Sequence, residues 1–247
     1  MNENAINSNH PRAISLNIRE KLVEGFRMGL VVPHGLISHG RGEAFDYLIG
    51  EVTTKMALES EIAAASLLLI SEAPIISVNG NTASLCGLQL VKLSDITNSL
   101  LEVNLYHESK QRTNAIASHL TKNGAKKVYG ITPNRTIEGI ASNRKYVDKN
   151  GIYKADTVLI AVEDGDRAEA LIKLGLNVIA IDINPLSRTA QNANITIVDN
   201  IVRALANMIT ISKELRNKDK AQLRKTVENF DNAKNIDKSI RRIRRGF

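Results

Sequence analysis

From Pro74 onward, short apolar runs rich in β-branched residues alternate with segments of helical periodicity, and this alternation restricts the possible folds more than any other feature. Runs that predict strands lie at residues 75–78, 101–105, 127–131, 157–162, 178–183 and 195–198. Segments that predict helices lie at residues 88–99, 108–122, 166–174, 187–191 and about 202–215. This order is typical of βαβ units. We therefore predict an α/β fold with a mainly parallel sheet flanked by helices on both faces.

The residues before Pro74 predict a helical N-terminal segment. Apolar residues recur at helical spacing at Ile14, Ile18, Leu22 and Phe26, and a second helix is predicted at about residues 53–70. The stretch between these helices, residues 32–43, is rich in glycine and polar residues and predicts a site loop. We expect a single α/β domain over residues 1–215, with a helical part at about 10–72 and a sheet-containing part at about 73–215.

The formal net charge of +7 arises from the C-terminal segment. Residues 213–247 contain 12 Lys or Arg against 5 Asp or Glu, whereas residues 1–212 contain 21 of each. A nucleic-acid enzyme more often carries basic and aromatic residues across its folded body. We therefore predict that residues 216–247 form a basic helical or flexible tail in solvent, and we do not expect nucleic acid as a partner.

Cysteine content and hydropathy indicate a reducing compartment. The single cysteine, Cys86, excludes an intramolecular disulfide and leaves no cysteine cluster for zinc or iron–sulfur. Residues 1–12 are polar and lack the apolar centre of a signal peptide. The longest apolar run, residues 63–70, is far too short to cross a bilayer. We expect a cytoplasmic protein without a membrane segment.

Polar residues cluster where the predicted strands end, which is where open parallel sheets bind ligands. Asp182 follows one strand and can accept hydrogen bonds from ribose hydroxyls. Arg188 and Thr189, a few residues later, offer hydrogen-bond donors to phosphate oxygens. The alternative is a turn in which Asn184 or Ser187 caps the next helix.

Two more strand ends carry similar residues. Asn200 follows the last strand, where it either caps the next helix or presents backbone N–H groups to a phosphate or a purine edge. Glu163, Asp164 and Asp166 surround Gly165 and can bind Mg²⁺ through water or attract an ammonium group. The alternative is that Asp164 or Asp166 caps the following helix.

The first strand and the helical segment add further candidates. Asn79, Asn81 and Thr82 follow the first strand and suit a carboxylate or hydroxyl ligand, although Asn79-Gly80 is also an ordinary turn dipeptide. Arg41 lies between glycines, which permit a close backbone approach to a ligand. We expect Arg19 to point toward the same place. His34 and His39 make no metal site without further ligands.

Missing motifs exclude several classes of site. The chain has no phosphate-binding P-loop, no glycine fingerprint for dinucleotides and no nucleophile elbow. A Rossmann-like oxidoreductase or sugar isomerase is the first rival interpretation, and the missing fingerprint argues against dinucleotide binding. A nucleic-acid-binding module is the second rival, and the neutral body of the chain argues against it.

Longer blocks of sequence resemble the archaeal 4-phosphopantoate–β-alanine ligase family, also called phosphopantothenate synthetase. The blocks run in order along the chain at residues 18–25, 39–48, 77–83, 163–167, 184–191 and 195–200. The resemblance covers about residues 10–215 and leaves the tail outside. It implies a Rossmann-like homodimer that uses ATP with Mg²⁺ to join 4-phosphopantoate to β-alanine, giving 4′-phosphopantothenate for coenzyme A.

The resemblance also implies roles for particular residues. It implies ATP contacts at Arg19, Arg41, Asp182, Ile183, Asn184, Arg188, Thr189, Asn200 and Ile201. The three arginines would stabilise charge on the phosphates as an acyl-adenylate forms. Substrate contacts are expected among His39, Asn79, Asn81 and Thr82, and metal or amine contacts among Glu163, Asp164 and Asp166. The sequence itself leaves open whether the nucleotide product is AMP or ADP.

Overall fold

The apolar runs of the sequence lie side by side in one parallel sheet, which confirms the predicted α/β fold. The computed structural model describes residue 7 and residues 9–246. In chain order the strands are β1 (Pro74–Val78), β2 (Leu100–Val103), β3 (Arg135–Thr136), β4 (Tyr146–Val147), β5 (Thr157–Ala161), β6 (Asn177–Ile181) and β7 (Ile195–Ile197). Within the described residues, five of them form the parallel sheet in the order β2–β1–β5–β6–β7, and β3 pairs with β4 in an antiparallel ribbon.

Helices cover both faces of this sheet. They are α1 (Ala13–Arg27), α2 (Pro33–Ile49), α3 (Lys55–Ile70), α4 (Gly80–Thr97), α5 (Lys110–Lys122), α6 (Gly165–Lys173), α7 (Arg188–Asn192), α8 (Ile201–Leu215), α9 (Lys220–Glu228) and α10 (Asn232–Arg245). Every residue of β1 and β5 is buried, so these central strands lie between two apolar layers. One layer joins the sheet to α1, α3, α4, α5 and α8, and the other joins it to α6 and the segment around β4.

The strand order places a switch point at the middle of the sheet. From β1 the chain moves outward to β2, and after β5 it moves in the opposite direction through β6 and β7. The connections therefore diverge between β1 and β5, and a crevice opens above the carboxyl ends of these two strands. The polar strand-end residues all belong to this edge of the sheet.

Two predicted elements are wrong. Residues 127–131 form no full strand, because Tyr129 bridges Glu102 and the chain then turns away at Gly130, which has a φ of 82°. The stretch 32–43 is no loop, because Val32 caps α2 and residues 33–43 belong to it; Pro33 is its first residue, where the missing N–H costs nothing. The helix predicted at residues 88–99 begins earlier, at Gly80.

The C-terminal segment forms the helices α9 and α10. Leu223 and Ile236 are buried, so both helices pack on the rest of the chain while their basic side chains face solvent. Across the described residues, no helix has the length and apolar character needed to span a bilayer. Residues 1–6 and Ser8 of the polar N-terminus, and Phe247 of the tail, lie outside the described residues.

Candidate functional site at the switch point

A cavity of about 540 Å³ opens above the β1–β5 edge. On the β6 side its wall contains Arg41, Asp182, Ile183, Asn184, Asn200 and Ile201, which we call the β6 half. On the β1 side its wall contains His34, Asn79, Gly80, Asn81, Thr82, His107 and Arg112, which we call the β1 half. The turn Val162-Glu163-Asp164, at the end of β5, lies between the two halves, and Arg144 joins the wall there.

In the β6 half, Asp182 organises the loop after β6. Its carboxylate accepts hydrogen bonds from the Ser187 hydroxyl and from the backbone N–H of Asn184. Burial raises the pKa of Asp182, opposed by these hydrogen bonds and by the charge of Arg41. Ser187 also caps α7, so the capping interpretation of this motif is confirmed for Ser187. The same loop still lines the cavity, and the two roles coexist.

Helix α2 brings Arg41 to this half. A Cβ added to Gly42 would lie 3.5 Å from the Ile183 side chain, so α2 packs closely on the β6 loop. Across the described residues, Arg41 donates no hydrogen bond. It is therefore a cation in the cavity wall that remains available to an anionic ligand.

Asn200 closes the same half from the end of β7. Its side-chain oxygen accepts a hydrogen bond from Val202 N–H at 3.0 Å and caps α8, while its amide donates to Asp46 of α2 at 2.9 Å. Arg203 joins Asp46 to Asp199 through ion pairs of 2.5 and 2.6 Å. These contacts attach α2 to the start of α8, and they fix the wall that carries Arg41.

A polar chain continues from Asp199 into the protein. Asp199 accepts a hydrogen bond from Thr53 at 2.6 Å, and Asn207 donates to both Thr53 and Glu61. Glu61 is fully buried, and one of its carboxyl oxygens has no hydrogen-bond partner. Burial, followed by the charge of Asp199, raises the pKa of Glu61 to about 8, so this group is protonated at neutral pH.

The β1 half collects positive charge and imidazole rings. Arg112 donates to the carbonyl oxygens of Leu30 and His107 at 2.8 and 2.7 Å, which holds its guanidinium against the cavity. A Cβ on Gly80 would collide with the Leu30 carbonyl oxygen. The first turn of α4 can therefore approach Leu30 and Arg112 this closely only because residue 80 is glycine. The rings of His34 and His107 lie 4.4 Å apart. Desolvation, with the neighbouring His34, Arg112 and Arg144, lowers the pKa of His107.

Between the halves, Glu163 is held by two arginines. Its carboxylate pairs with Arg144 at 2.6 Å and with Arg167, whose side chain is completely buried. Arg144 also lies 3.3 Å from the Asp164 carboxylate. That Asp164 oxygen has no hydrogen-bond partner, and burial raises the pKa of Asp164. Asp164 occupies the N-cap position of α6 but makes no side-chain cap bond.

Several residues proposed from the sequence lie in this wall, and others lie outside it. Those in the wall are Arg41, His39, Asn79, Asn81, Thr82, Glu163, Asp164, Asp182, Ile183, Asn184, Asn200 and Ile201. Arg19 pairs with Glu43 at 2.8 Å, and the exposed Arg188 pairs with Glu169 at 2.8 Å. Asp166 accepts a hydrogen bond from the next backbone N–H, outside the wall.

The β1-side side chains also have structural partners. Asn79 caps α4 and Asn81 donates to the Gly35 carbonyl at 2.8 Å, which joins α4 to α2. Thr82 completes the capping box. His39 lies 3.8 Å from Glu43, and desolvation lowers its pKa. Each of these residues shapes the wall as well as lining it.

Three residues of the wall, Arg112, Arg144 and His107, are not predicted from the sequence. Arg112 belongs to a predicted helix with no distinguishing motif, and Arg144 belongs to an irregular segment between α5 and β5. His107 follows the run 101–105, whose pattern predicts a strand but no site residue. The one available signal was position, because His107 lies just beyond a strand end, as the predicted site residues do.

Metal binding by protein groups has little support in this wall. In the part of the chain that the structure describes, no three His, Cys, Asp or Glu residues are grouped to hold a metal ion. Glu163 is already neutralised by Arg144 and Arg167. Any Mg²⁺ in this site would have to be held mainly by a ligand's own oxygens.

The fold and the wall together define an α/β enzyme whose polar cavity lies at a sheet switch point and is lined by cations suited to anionic substrates. Comparison with known proteins gives the family. The model of the phosphopantothenate/pantothenate synthetase family matches residues 56–246. The chain belongs to this family and is a ligase. The match includes α9 and α10, so the expectation that the tail lies outside the family resemblance is wrong.

Individual relatives match over nearly the whole chain. The 4-phosphopantoate–β-alanine ligase of Thermococcus onnurineus is 45% identical over 240 residues, covering 97% of this chain and 92% of its own. The ligase of the same name from Methanosarcina mazei is 46% identical, covering 95% of this chain and 92% of its own. That of Methanospirillum hungatei is 47% identical, covering 85% and 86%.

The raised pKa of Glu61 predicts a pH-dependent stability. Unfolded, this carboxyl ionises near its ordinary value of 4.5, whereas in the fold it stays protonated to about 8. Its contribution to the unfolding free energy is therefore complete below pH 4.5 and is lost as the pH rises to 8. As the pH rises, we expect the unfolding free energy of Glu61→Gln to fall by ~2–4 kcal/mol less than that of the wild type.

Urea denaturation at pH 5 and pH 8 measures the effect. Glu59→Gln, on the same helix but with a side chain that is 40% exposed, is the matched control and should follow the wild type. Parallel stability curves for the wild type and Glu61→Gln would contradict the assignment of a protonated Glu61.

Proposed function

We propose that this enzyme is an ATP-dependent ligase that condenses 4-phosphopantoate with β-alanine to give 4′-phosphopantothenate for coenzyme A. The observation that carries the proposal is one cavity at the switch point whose two halves each contain an arginine, Arg41 in one and Arg112 in the other, for the anionic groups of two substrates. The names of the curated relatives supply the identity of the substrates.

In this proposal MgATP occupies the β6 half as a substrate. Asp182 and Asn184 hold the nucleoside, and Ile183, Asn200 and Ile201 complete its surroundings. Arg41 contacts the phosphates because its guanidinium has no other hydrogen-bond acceptor among the described residues. Arg19 and Arg188 are proposed to exchange Glu43 and Glu169 for phosphate oxygens when the nucleotide binds.

The phosphorylated acid occupies the β1 half. Arg112, backed by His34 and His107, supplies donors for its phosphate, and the first turn of α4 adds the positive end of a helix. Asn79, Asn81, Thr82 and His39 are the proposed contacts to its hydroxyl and carboxylate groups. The carboxylate then points toward the Val162-Glu163-Asp164 turn, where the two halves meet.

β-Alanine is proposed to bring its amine to Asp164. The Asp164 oxygen that accepts no hydrogen bond, although it lies 3.3 Å from Arg144, is the proposed acceptor for the ammonium group. Glu163 and Asp166 are proposed in supporting roles, since Glu163 is held by two arginines and Asp166 lies outside the wall. Arg144 stands between Asp164 and Glu163 and limits the negative charge there.

The proposed reaction has two steps. A carboxylate oxygen of the acid attacks the α-phosphorus of ATP, pyrophosphate leaves, and an acyl-adenylate forms. The neutral amine of β-alanine then attacks the acyl carbon, AMP leaves with the bonding electrons, and the nitrogen loses a proton. Negative charge accumulates on phosphate oxygens in both steps, and fixed guanidinium groups stabilise it without reorganisation.

A product assay tests the proposed reaction. With ATP, Mg²⁺, 4-phosphopantoate and β-alanine, we expect phosphopantothenate and equimolar AMP by mass spectrometry, and no phosphopantothenate without β-alanine. ADP instead of AMP would replace the acyl-adenylate with an acyl phosphate and keep the ligase. A folded protein that forms no phosphopantothenate would refute the proposed substrates.

Three substitutions test the division of the cavity. We expect Arg41→Met to raise chiefly the KM for ATP, Arg112→Met that for 4-phosphopantoate, and Asp164→Asn that for β-alanine. Loss of one charged hydrogen-bonding group makes each increase roughly tenfold or more. Lys110→Met, at the exposed start of the helix that carries Arg112, is the control and should leave all three KM values unchanged. An equal rise of all three KM values in each variant would contradict the division.

We propose that the enzyme is a homodimer formed through the outer face of α2. Ile37 and Leu48 are 72% and 47% exposed, and they lie on one side of the helix, three turns apart. Leu48→Glu should then give a monomer in light scattering, whereas Leu174→Glu, at an exposed site beyond α6, should leave a dimer. A wild type that is monomeric at micromolar concentration would exclude the dimer.

A further inference from the structure

Two polar residues lie in the otherwise apolar run of residues 100–105. They are Glu102, within β2, and Asn104, just after it, and this two-residue spacing places their side chains on the same side of an extended chain. Both are buried, with 0% and 3% of their surface exposed. Burying a polar side chain costs free energy unless it forms hydrogen bonds, so the partners of these two residues indicate their role.

Glu102 fixes the chain that follows β4. Its carboxylate accepts hydrogen bonds from the backbone N–H groups of Asp148 and Ile152, at 3.0 and 2.7 Å. A Cβ on Gly151 would collide with the same carboxylate, so the loop closes tightly around it. This attachment does not involve Asn104, and it therefore remains in place when Asn104 is replaced.

Asn104 fixes the chain at the start of β4. Its side-chain amide donates to the carbonyl oxygens of Arg144 and Tyr146, at 3.2 and 3.0 Å. Only the NH2 end of the amide can donate, so these two acceptors determine its orientation. Its own backbone N–H donates to the Val78 carbonyl at 2.9 Å, which holds Asn104 at the end of β1. Asn104 therefore connects the centre of the sheet to the backbone of Arg144.

The position of Arg144 depends on such tertiary contacts. Between α5 and β5, the described chain contains two-residue strands and single-turn 3₁₀ helices, and Arg144 lies in one of these helices, Asn143–Lys145. From this backbone its guanidinium pairs with Glu163 at 2.6 Å and lies 3.3 Å from the Asp164 carboxylate. A shift of the short helix would withdraw the cation from both acids.

We propose that Asn104 is a positioning residue that holds Arg144 beside Glu163 and Asp164, where its charge allows the carboxylate of the acid substrate to approach. The proposal rests on the proposed function, in which that carboxylate meets ATP at this turn. The two acidic side chains would otherwise repel it, since the buried Arg167 balances only one of them. Asn104 is not part of the cavity wall and acts through Arg144.

Two substitutions at Asn104 test this role. Asn104→Leu keeps the approximate size and removes the amide donor, and we expect the KM for 4-phosphopantoate to rise about tenfold as Arg144 moves away. The KM for ATP should stay within about threefold of the wild type, because the β6 half is unchanged. Asn104→Ser keeps one donor on a shorter side chain and should give a smaller rise, and it provides the test if the leucine variant does not fold.

Asn235 offers a closely matched control. It is also 3% exposed, it donates its amide to the Met56 carbonyl at 3.1 Å, and its side-chain oxygen, like that of Asn104, has no hydrogen-bond partner. It lies on α10, outside the cavity wall. Asn235→Leu should therefore lower the stability as Asn104→Leu does, while leaving the KM values for 4-phosphopantoate and ATP unchanged.

A double-mutant cycle with Arg144→Met shows whether Asn104 acts through Arg144. If it does, adding Asn104→Leu to Arg144→Met should change the KM for 4-phosphopantoate by less than about twofold. A residue that only supports the fold would add its full effect to that of Arg144→Met. Kinetics are measured well below the unfolding temperature of each variant, with circular dichroism confirming that the variants are folded.

Several results would overturn the proposal. An unchanged KM for 4-phosphopantoate in Asn104→Leu would leave the residue with no role in the site. An equal rise in the KM for ATP, a similar rise in Asn235→Leu, or additive effects in the cycle would each make its role purely structural. Failure of the proposed function itself is seen separately, as absence of phosphopantothenate from the wild-type reaction.

Discussion

The parallel pairing of β1 with β5 is the constraint on which the site depends. These two strands are adjacent in the sheet but separated in sequence by α4, β2, α5 and the β3–β4 ribbon, and the chain leaves them in opposite directions. No connecting helix can cover the edge between them, and a crevice remains above it. Asn79 spans this crevice by donating to Ala161 and Val162, and it joins the ends of the two strands.

Glu163 and its two arginine partners form a buried ionic cluster beneath the cavity. Arg167 is completely buried, and Glu163 is almost completely buried against it. Such a group is costly to desolvate and is often no more stabilising than apolar residues of the same volume. Here the buried pair orients a side chain, because it holds the Glu163 carboxylate as a fixed acceptor for Arg144 at the cavity wall. Glu102 lies in the same layer, where burial raises its pKa to about 7.

The sequence predicted the sheet well because its strands depend on local pattern. Runs of Ile, Leu and Val at 75–78 and 157–162 have no stable place except between two apolar layers. The sequence predicted α2 badly because Gly35 and Gly42 lower helix propensity. These glycines serve tertiary packing against other elements, which the local pattern does not reveal. A Cβ on Gly35 would collide with Asn81, and Gly42 packs near Ile183. The strand predicted at residues 127–131 is wrong for a similar reason, because Gly130 approaches the Val103 carbonyl so closely that a Cβ there would collide with it.

The polar strand ends could be predicted, but their partners could not. Arg112 reaches the cavity through the carbonyl oxygens of Leu30 and His107, which are distant in sequence or belong to no motif. For Asn200 the sequence offered capping and ligand binding as alternatives, and for Asn79 it offered a turn and ligand binding, yet each of these side chains caps a helix whose first turn lines the cavity. A cap fixes the orientation of the backbone N–H groups beside it, so a strand-end cap at a switch point builds the wall that a ligand would contact. Capping residues at this edge are therefore compatible with a binding site, and finding the cap does not exclude the site.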